Sequence, residues 1–131
     1  MLKSILLIAL GASFGAVSRW LVSSAFNPIT QAIPLGTLMV NVGGSFLIGI
    51  LSSLFLLFPH IQEPLKLVFI TGFLGSFTTF STFAAEVGLF IQHKDYLHTF
   101  LCIIAHLSLS LIAFFLGLFL FNKVLTLVGP R

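Results

Sequence analysis

Apolar residues fall in four long blocks along this chain, parted by short clusters of proline, asparagine, histidine and charged residues. The blocks cover residues 2–26, 35–58, 65–92 and 97–127. Each is long enough for a helix to cross a hydrocarbon core, which takes about 20 apolar residues. No Asp, Glu, Lys or Arg occurs in 35–58, 67–85 or 99–122. The first block is less plain, because it holds Lys3 and Arg19. Lys3, an apolar run and the small residues Gly11, Ala12, Ser13, Gly15 and Ala16 also suit a cleaved signal peptide. The apolar run resumes after Arg19 with Trp20, Leu21 and Val22, which favours a retained helix. The pattern predicts an all-α integral membrane protein, residues 1–131 forming a single domain of four transmembrane helices.

Polar positions inside the spans are not scattered. At helical spacing the second span aligns Thr37, Asn41, Gly44 and Ser45, the third aligns Thr79, Thr82 and Glu86, and the fourth aligns Thr99, His106, Ser110, Ala113 and Gly117. Two readings fit these stripes: hydrogen bonds that join helices in lipid, or a polar track for a solute. Asn41 tips the balance towards a track, since a carboxamide at membrane depth is costly unless its donors and acceptors are satisfied. Glu86 and His106 are ionisable groups within spans, where function is the first hypothesis. Glu86 suits a vestibule or a structural hydrogen bond, and His106 a packed neutral ring or a donor on the track. Arg19 suits an anion-attracting vestibule, a clamp on a loop or a snorkelling anchor.

Residues 72–83, GFLGSFTTFSTF, combine five hydroxyls, four phenylalanines and two glycines. Thr78, Thr79, Ser81 and Thr82 can bond nearby carbonyls and compete with the helical ladder, and Gly72 and Gly75 weaken the helix further. The third span is therefore expected to break in mid-membrane. Unwound backbone is tolerated there only where it is buried or lines a cavity, and its freed carbonyls are ready ligands for a cation of sodium's size. Phenylalanine rings have a negative face and a positive edge. Phe80 and Phe83 presented edge-on would contact an anion without adding fixed charge; the alternative is that they fill space between helices or against lipid.

Composition agrees with a membrane protein. The 131 residues are 58% hydrophobic and 7% charged, with a mean hydropathy of +1.18. The net charge of +3 is spread out and shows no basic cluster, so nucleic acid is not a partner. Four spans put Lys3, Lys66, Lys123 and Arg131 on one side against Lys94 and Arg19 on the other, a weak orientation signal that would allow insertion both ways. Small residues at Gly11, Gly15, Ala12 and Ala16, with Gly43, Gly44 and Gly49, mark close helix contacts. Four helices seldom enclose a pore alone, so a homodimer is expected. Cys102 reads as a small buried hydrophobe, and His93 and His98 as solvated loop residues.

In its motifs the chain closely resembles the Fluc (CrcB) family of fluoride channels. The resemblance covers its whole length and rests on GAxxGAVSRW at 11–20, GTLMVNVGGSFLIG at 36–49 and GFLGSFTTFSTF at 72–83 followed by Glu86. It implies a dual-topology, antiparallel homodimer in the cytoplasmic membrane of a prokaryote, passing fluoride passively through two pores. By matching motif positions it implies fluoride contacts from the ring edges of Phe80 and Phe83, the amide of Asn41 and the hydroxyls of Ser81, Thr82 and Ser110. Thr37 and His106 would be neighbours on that track. Gly75 and Thr78 would offer backbone carbonyls to a structural sodium ion that is not transported.

Other function classes fare worse. A small proton-coupled drug exporter shares the four-helix, dual-topology plan but needs a carboxylate in its first span, which has none. A structural subunit without transport would tolerate replacement of Phe80 by another bulky apolar residue. An enzyme is disfavoured, since no nucleophile with its base, paired carboxylates or metal-ligand cluster stands at workable spacing.

Overall fold

Long apolar stretches become helices because lipid offers backbone groups no hydrogen-bond partners. The computed structural model of the chain describes residues 1–30, 32–57 and 63–128. Its elements are α1 (Leu2–Phe26), a 3₁₀ turn (Asn27–Ile29), α2 (Leu35–Leu57), the single turn α3 (Glu63–Lys66), a π-helical run (Leu67–Leu74), α4 (Gly75–Phe77), α5 (Phe80–Gln92) and α6 (Tyr96–Val128). No strand occurs among the described residues. Four helical stretches are long and apolar enough to cross a membrane, and the third runs Glu63–Gln92. Phe58, most of the connection up to Glu63, and Arg131 lie outside the described residues.

Local chemistry sets the boundaries. α1 gives way at Asn27-Pro28 to the 3₁₀ turn, where proline has no N–H to continue the ladder. α5 ends in a Schellman turn, with Lys94 N bonded to Ile91 O, Asp95 N bonded to Phe90 O, and Lys94 at φ 58. Asp95 then caps α6, accepting from His98 N at 3.2 Å.

Two seams hold the helices together. Along the first, α1 lies against the π-helical run: a methyl added at Gly15 would overlap the Phe73 carbonyl, and one at Gly11 the Val68 carbonyl. Along the second, α2 meets α6 through Gly49 against the Phe114 backbone and Gly117 against the Phe46 backbone. These glycines let backbones approach within a single copy of the chain, as expected of close helix contacts at Gly11, Gly15 and Gly49. Gly43 has open space around it instead. Large apolar side chains elsewhere, Phe14, Trp20, Leu111 and Phe115 among them, are exposed, as a lipid-facing surface requires.

Candidate functional site

The third span is interrupted at two residues. Thr78 (φ −84, ψ 155) and Thr79 (φ −149, ψ 118) are extended between α4 and α5. Thr78 leaves the helix by back-bonding: its N–H and its hydroxyl both donate to the Leu74 carbonyl, at 3.0 and 2.9 Å. Thr79 pairs with Asn41 on α2. Asn41 Oδ1 accepts from Thr79 N at 2.7 Å, and Asn41 Nδ2 donates to Thr79 O at 2.9 Å. A side-chain amide thus supplies the donor and acceptor that the broken ladder no longer does. The Thr79 N–H that would close a helical turn onto the Gly75 carbonyl goes to Asn41 instead.

Thr79 also starts the next helix. Its hydroxyl accepts from Thr82 N at 3.1 Å, donates to Thr82 Oγ1 at 3.0 Å and lies 3.2 Å from Ser81 Oγ. Ser81 and Thr82 are therefore tied into the cap of α5. On the other side of the interruption, Arg19 Nε donates to the Ser76 carbonyl at 3.0 Å. That cation stands at the C-terminal end of a half-helix, where the helix dipole favours positive charge. Of the roles open to Arg19, this contact is a clamp.

A cavity of about 220 Å³ opens where α2, the interruption, α5 and α6 meet. It gathers six of the predicted site residues: Asn41, Thr78, Phe80, Phe83, His106 and Ser110. Asn41 Nδ2 carries two N–H groups, so one remains after Thr79 O is served. Phe83 is buried, 7% exposed, whereas Phe80 is 74% exposed. Their rings lie 5.5 Å apart at 59°, and Phe83 packs on the His106 ring at 4.6 Å. Ser45, Ile48, Thr79 and Leu107 complete the lining; Ser45 and Thr79 stood on the polar stripes, whereas nothing in the sequence distinguished Ile48 or Leu107 from lipid-facing residues.

His106 Nδ1 lies 3.0 Å from the Cys102 carbonyl, one turn back on α6. A carbonyl only accepts, so the contact puts a proton on Nδ1 and leaves Nε2 of the neutral ring an acceptor. Nε2 is enclosed and has no partner among the described residues. Cys102 is fully buried beside it, Sγ 3.6 Å from Nδ1.

Six other predicted residues, Thr37, Glu86, Ser81, Thr82, Arg19 and Gly75, are not on the cavity wall. Thr37 and Glu86 form a separate cluster, with Thr37 Oγ1 donating to Glu86 Oε1 at 2.6 Å. The α1 end joins it through Asn27, a residue read in the sequence only as a helix breaker. Its Oδ1 accepts from Thr37 N at 3.0 Å, and its Nδ2 donates to Thr37 Oγ1 at 3.2 Å and to Glu86 Oε1 at 3.5 Å. No group of three or more His, Cys, Asp or Glu side chains suited to a metal occurs among the described residues.

Comparison with known proteins shows the family. The model of a family described as CrcB-like protein, Camphor Resistance (CrcB), matches residues 6–118. A protein of Tolumonas auensis is 47% identical over 118 residues, covering 90% of this chain and 93% of its own. One of Desulfovibrio desulfuricans is 43% identical over 118 residues, 90% of this chain and 92% of its own. One of Escherichia coli K12 is 41% identical over 120 residues, 88% of this chain and 94% of its own. All three relatives are named fluoride-specific ion channel FluC.

Proposed function

Since this chain belongs to the CrcB-like protein family, we propose that it is a fluoride-selective passive channel in the cytoplasmic membrane of a prokaryote, exporting fluoride and so lowering its concentration and toxicity in the cell. It works as an antiparallel, dual-topology homodimer and is not an enzyme. The observation that carries this reading is the cavity at the interruption, where Asn41, Phe80, Phe83 and Ser110 converge around about 220 Å³. Fluoride is small and strongly hydrated, so it leaves water only where donors replace its shell. The spare N–H of Asn41, the Ser110 hydroxyl and the ring edges of Phe80 and Phe83 are such donors, and none carries a full charge that would trap the ion. The wide exposure of Phe80 supports a second copy of the chain as the remaining wall.

The carbonyls of Gly75 and Thr78 fit a sodium ion as neutral oxygen ligands. The Gly75 carbonyl is free of its helical donor because Thr79 N–H pairs with Asn41, and carbonyls at such a helix break suit sodium. One copy supplies two such oxygens and two copies would supply four. A cation held there lowers the cost of bringing an anion to mid-membrane. The chain's own part is to keep the Gly75 carbonyl free of its helical donor, through the Asn41–Thr79 pair, and to hold Thr78 extended beside it.

The test is fluoride efflux from liposomes holding the purified protein, read with a fluoride electrode and compared with chloride. Fast efflux of fluoride but not chloride, reduced at least about tenfold by Phe80→Ile, is expected; that factor is about 1.4 kcal/mol of lost ion stabilisation. Absence of efflux from a folded dimer in sodium would overturn the reading.

A further inference from the structure

The Thr37–Glu86 pair lies off the cavity, yet its geometry is closely specified. Glu86 Oε1 accepts the Thr37 hydroxyl at 2.6 Å, the length of a charge-assisted bond. Thr37 has one hydroxyl proton, so its direction depends on what occupies the oxygen's lone pairs. Asn27 Nδ2 donates to that oxygen at 3.2 Å and Asn27 Oδ1 holds the Thr37 backbone N–H at 3.0 Å. The same Nδ2 reaches Glu86 Oε1 at 3.5 Å. One carboxamide thereby grips Thr37 at both its backbone and its side chain and faces the carboxylate. Space is left for it: a methyl at Gly36 would press on Asn27 Oδ1 and on Ser23 Cα.

We infer that Asn27 is a positioning residue for ion passage. By donating to Thr37 Oγ1 it turns the Thr37 proton onto Glu86, and so fixes where the carboxylate stands and how its charge is shared. The inference rests on the fluoride-channel reading, with Thr37 taken as a neighbour of the polar track and Glu86 as a vestibule residue. An anion needing the Thr37 hydroxyl must compete with a carboxylate that Asn27 has helped to seat, and the strength of that competition is set from the 3₁₀ turn that follows α1. Asn27 touches no ion itself.

The amide and the carboxylate can be exchanged. Asn27→Asp alone sets two carboxylates around one hydroxyl proton, and like charges at close range repel. Adding Glu86→Gln restores one amide and one acid. In liposomes, Asn27→Asp is expected to slow fluoride efflux at least about tenfold, and Asn27→Asp with Glu86→Gln to return to within about threefold of Glu86→Gln alone. Asn27→Leu, which cannot donate, should be slow with either residue at position 86. A purely structural role predicts that Asn27→Asp loses efflux equally with and without Glu86→Gln, and that result, or wild-type efflux for Asn27→Asp, would overturn the inference. Thermal unfolding of the wild type, Asn27→Asp, Glu86→Gln and the double variant provides a channel-independent check. Non-additive melting shifts are expected for the pair, and additive shifts would overturn the inference. Absence of efflux from the wild type with non-additive melting would count against the channel reading alone.

Discussion

Replacing Asn41 by leucine should release the interruption of the third span. Leucine is close to asparagine in size but offers neither donor nor acceptor, so the bonds of 2.7 and 2.9 Å to Thr79 disappear together. Thr79 is only 9% exposed, so water does not readily replace them. Orphaning a buried N–H or C=O costs roughly 1–3 kcal/mol each, or roughly 2–6 kcal/mol for the two. The lower figure already shifts an equilibrium about 30-fold at 1.4 kcal/mol per factor of ten. Thr79 N–H can recover a partner by closing back onto the Gly75 carbonyl, but that straightens the helix and turns Phe80 and Phe83 away from α6. Reversible denaturant unfolding in detergent gives the stability change, and liposome efflux gives the transport change. Loss of at least about 2 kcal/mol with abolished efflux is expected. Asn41→Asp keeps the acceptor for Thr79 N but opposes two oxygens across the second bond, so it should fall between wild type and Asn41→Leu in stability. If Asn41→Leu unfolds within about 0.5 kcal/mol of wild type, the size expected of an ordinary surface change, the amide does not hold the interruption open and the reasoning fails.

Two further expectations concern packing and pH. Gly15→Ala places a methyl on the Phe73 carbonyl; overpacking of this kind costs about 1–3 kcal/mol, so a lower melting temperature is expected, while Gly43→Ala, with open space around it, should melt like wild type. The hydrogen bond from the His98 ring, 2.7 Å away, holds the Asp95 carboxyl below the usual carboxylate range, helped by the His98 backbone N–H. A carboxyl whose pKa is lower folded than unfolded stabilises above its unfolded value of about 3.9 and loses that contribution as pH falls through the folded one. The melting difference between wild type and Asp95→Asn should therefore be present at pH 7 and vanish in acid below that range.

The helices were readable because their signal is local. Apolar length and the breakers at Asn27-Pro28 and His93-Lys94-Asp95 mark where spans start and stop, and the structure has turns at both places. The interruption was readable as a region, 72–83, from competing hydroxyls, but not as a position. It falls at Thr78–Thr79, beyond both glycines, because a side chain on a different helix completes it. The π-helical run over Leu67–Leu74 had no sequence signal; it accompanies the close approach of α1 at Gly11 and Gly15. Asn27 was missed for the same reason, since its partners are 10 and 59 residues away in the chain. Ser81 and Thr82 entered the fluoride path through the family resemblance alone; what the structure adds is that both lie beside Thr79, whose hydroxyl donates to Thr82 Oγ1 and stands 3.2 Å from Ser81 Oγ.

The length of α6 makes lipid thickness a control variable. Its 33 residues extend about 50 Å at 1.5 Å per residue, against a hydrocarbon layer of about 30 Å. A helix so long and so apolar leans, or draws longer acyl chains around itself, and either response costs fractions of a kcal/mol for each ångström of mismatch. α6 cannot lean alone, because Gly49 and Gly117 press it backbone to backbone on α2. Thinning the bilayer therefore loads the seam whose two helices carry Asn41 and Ser110, and the acyl length of the host membrane reaches the ion's surroundings through glycine contacts that touch no ion.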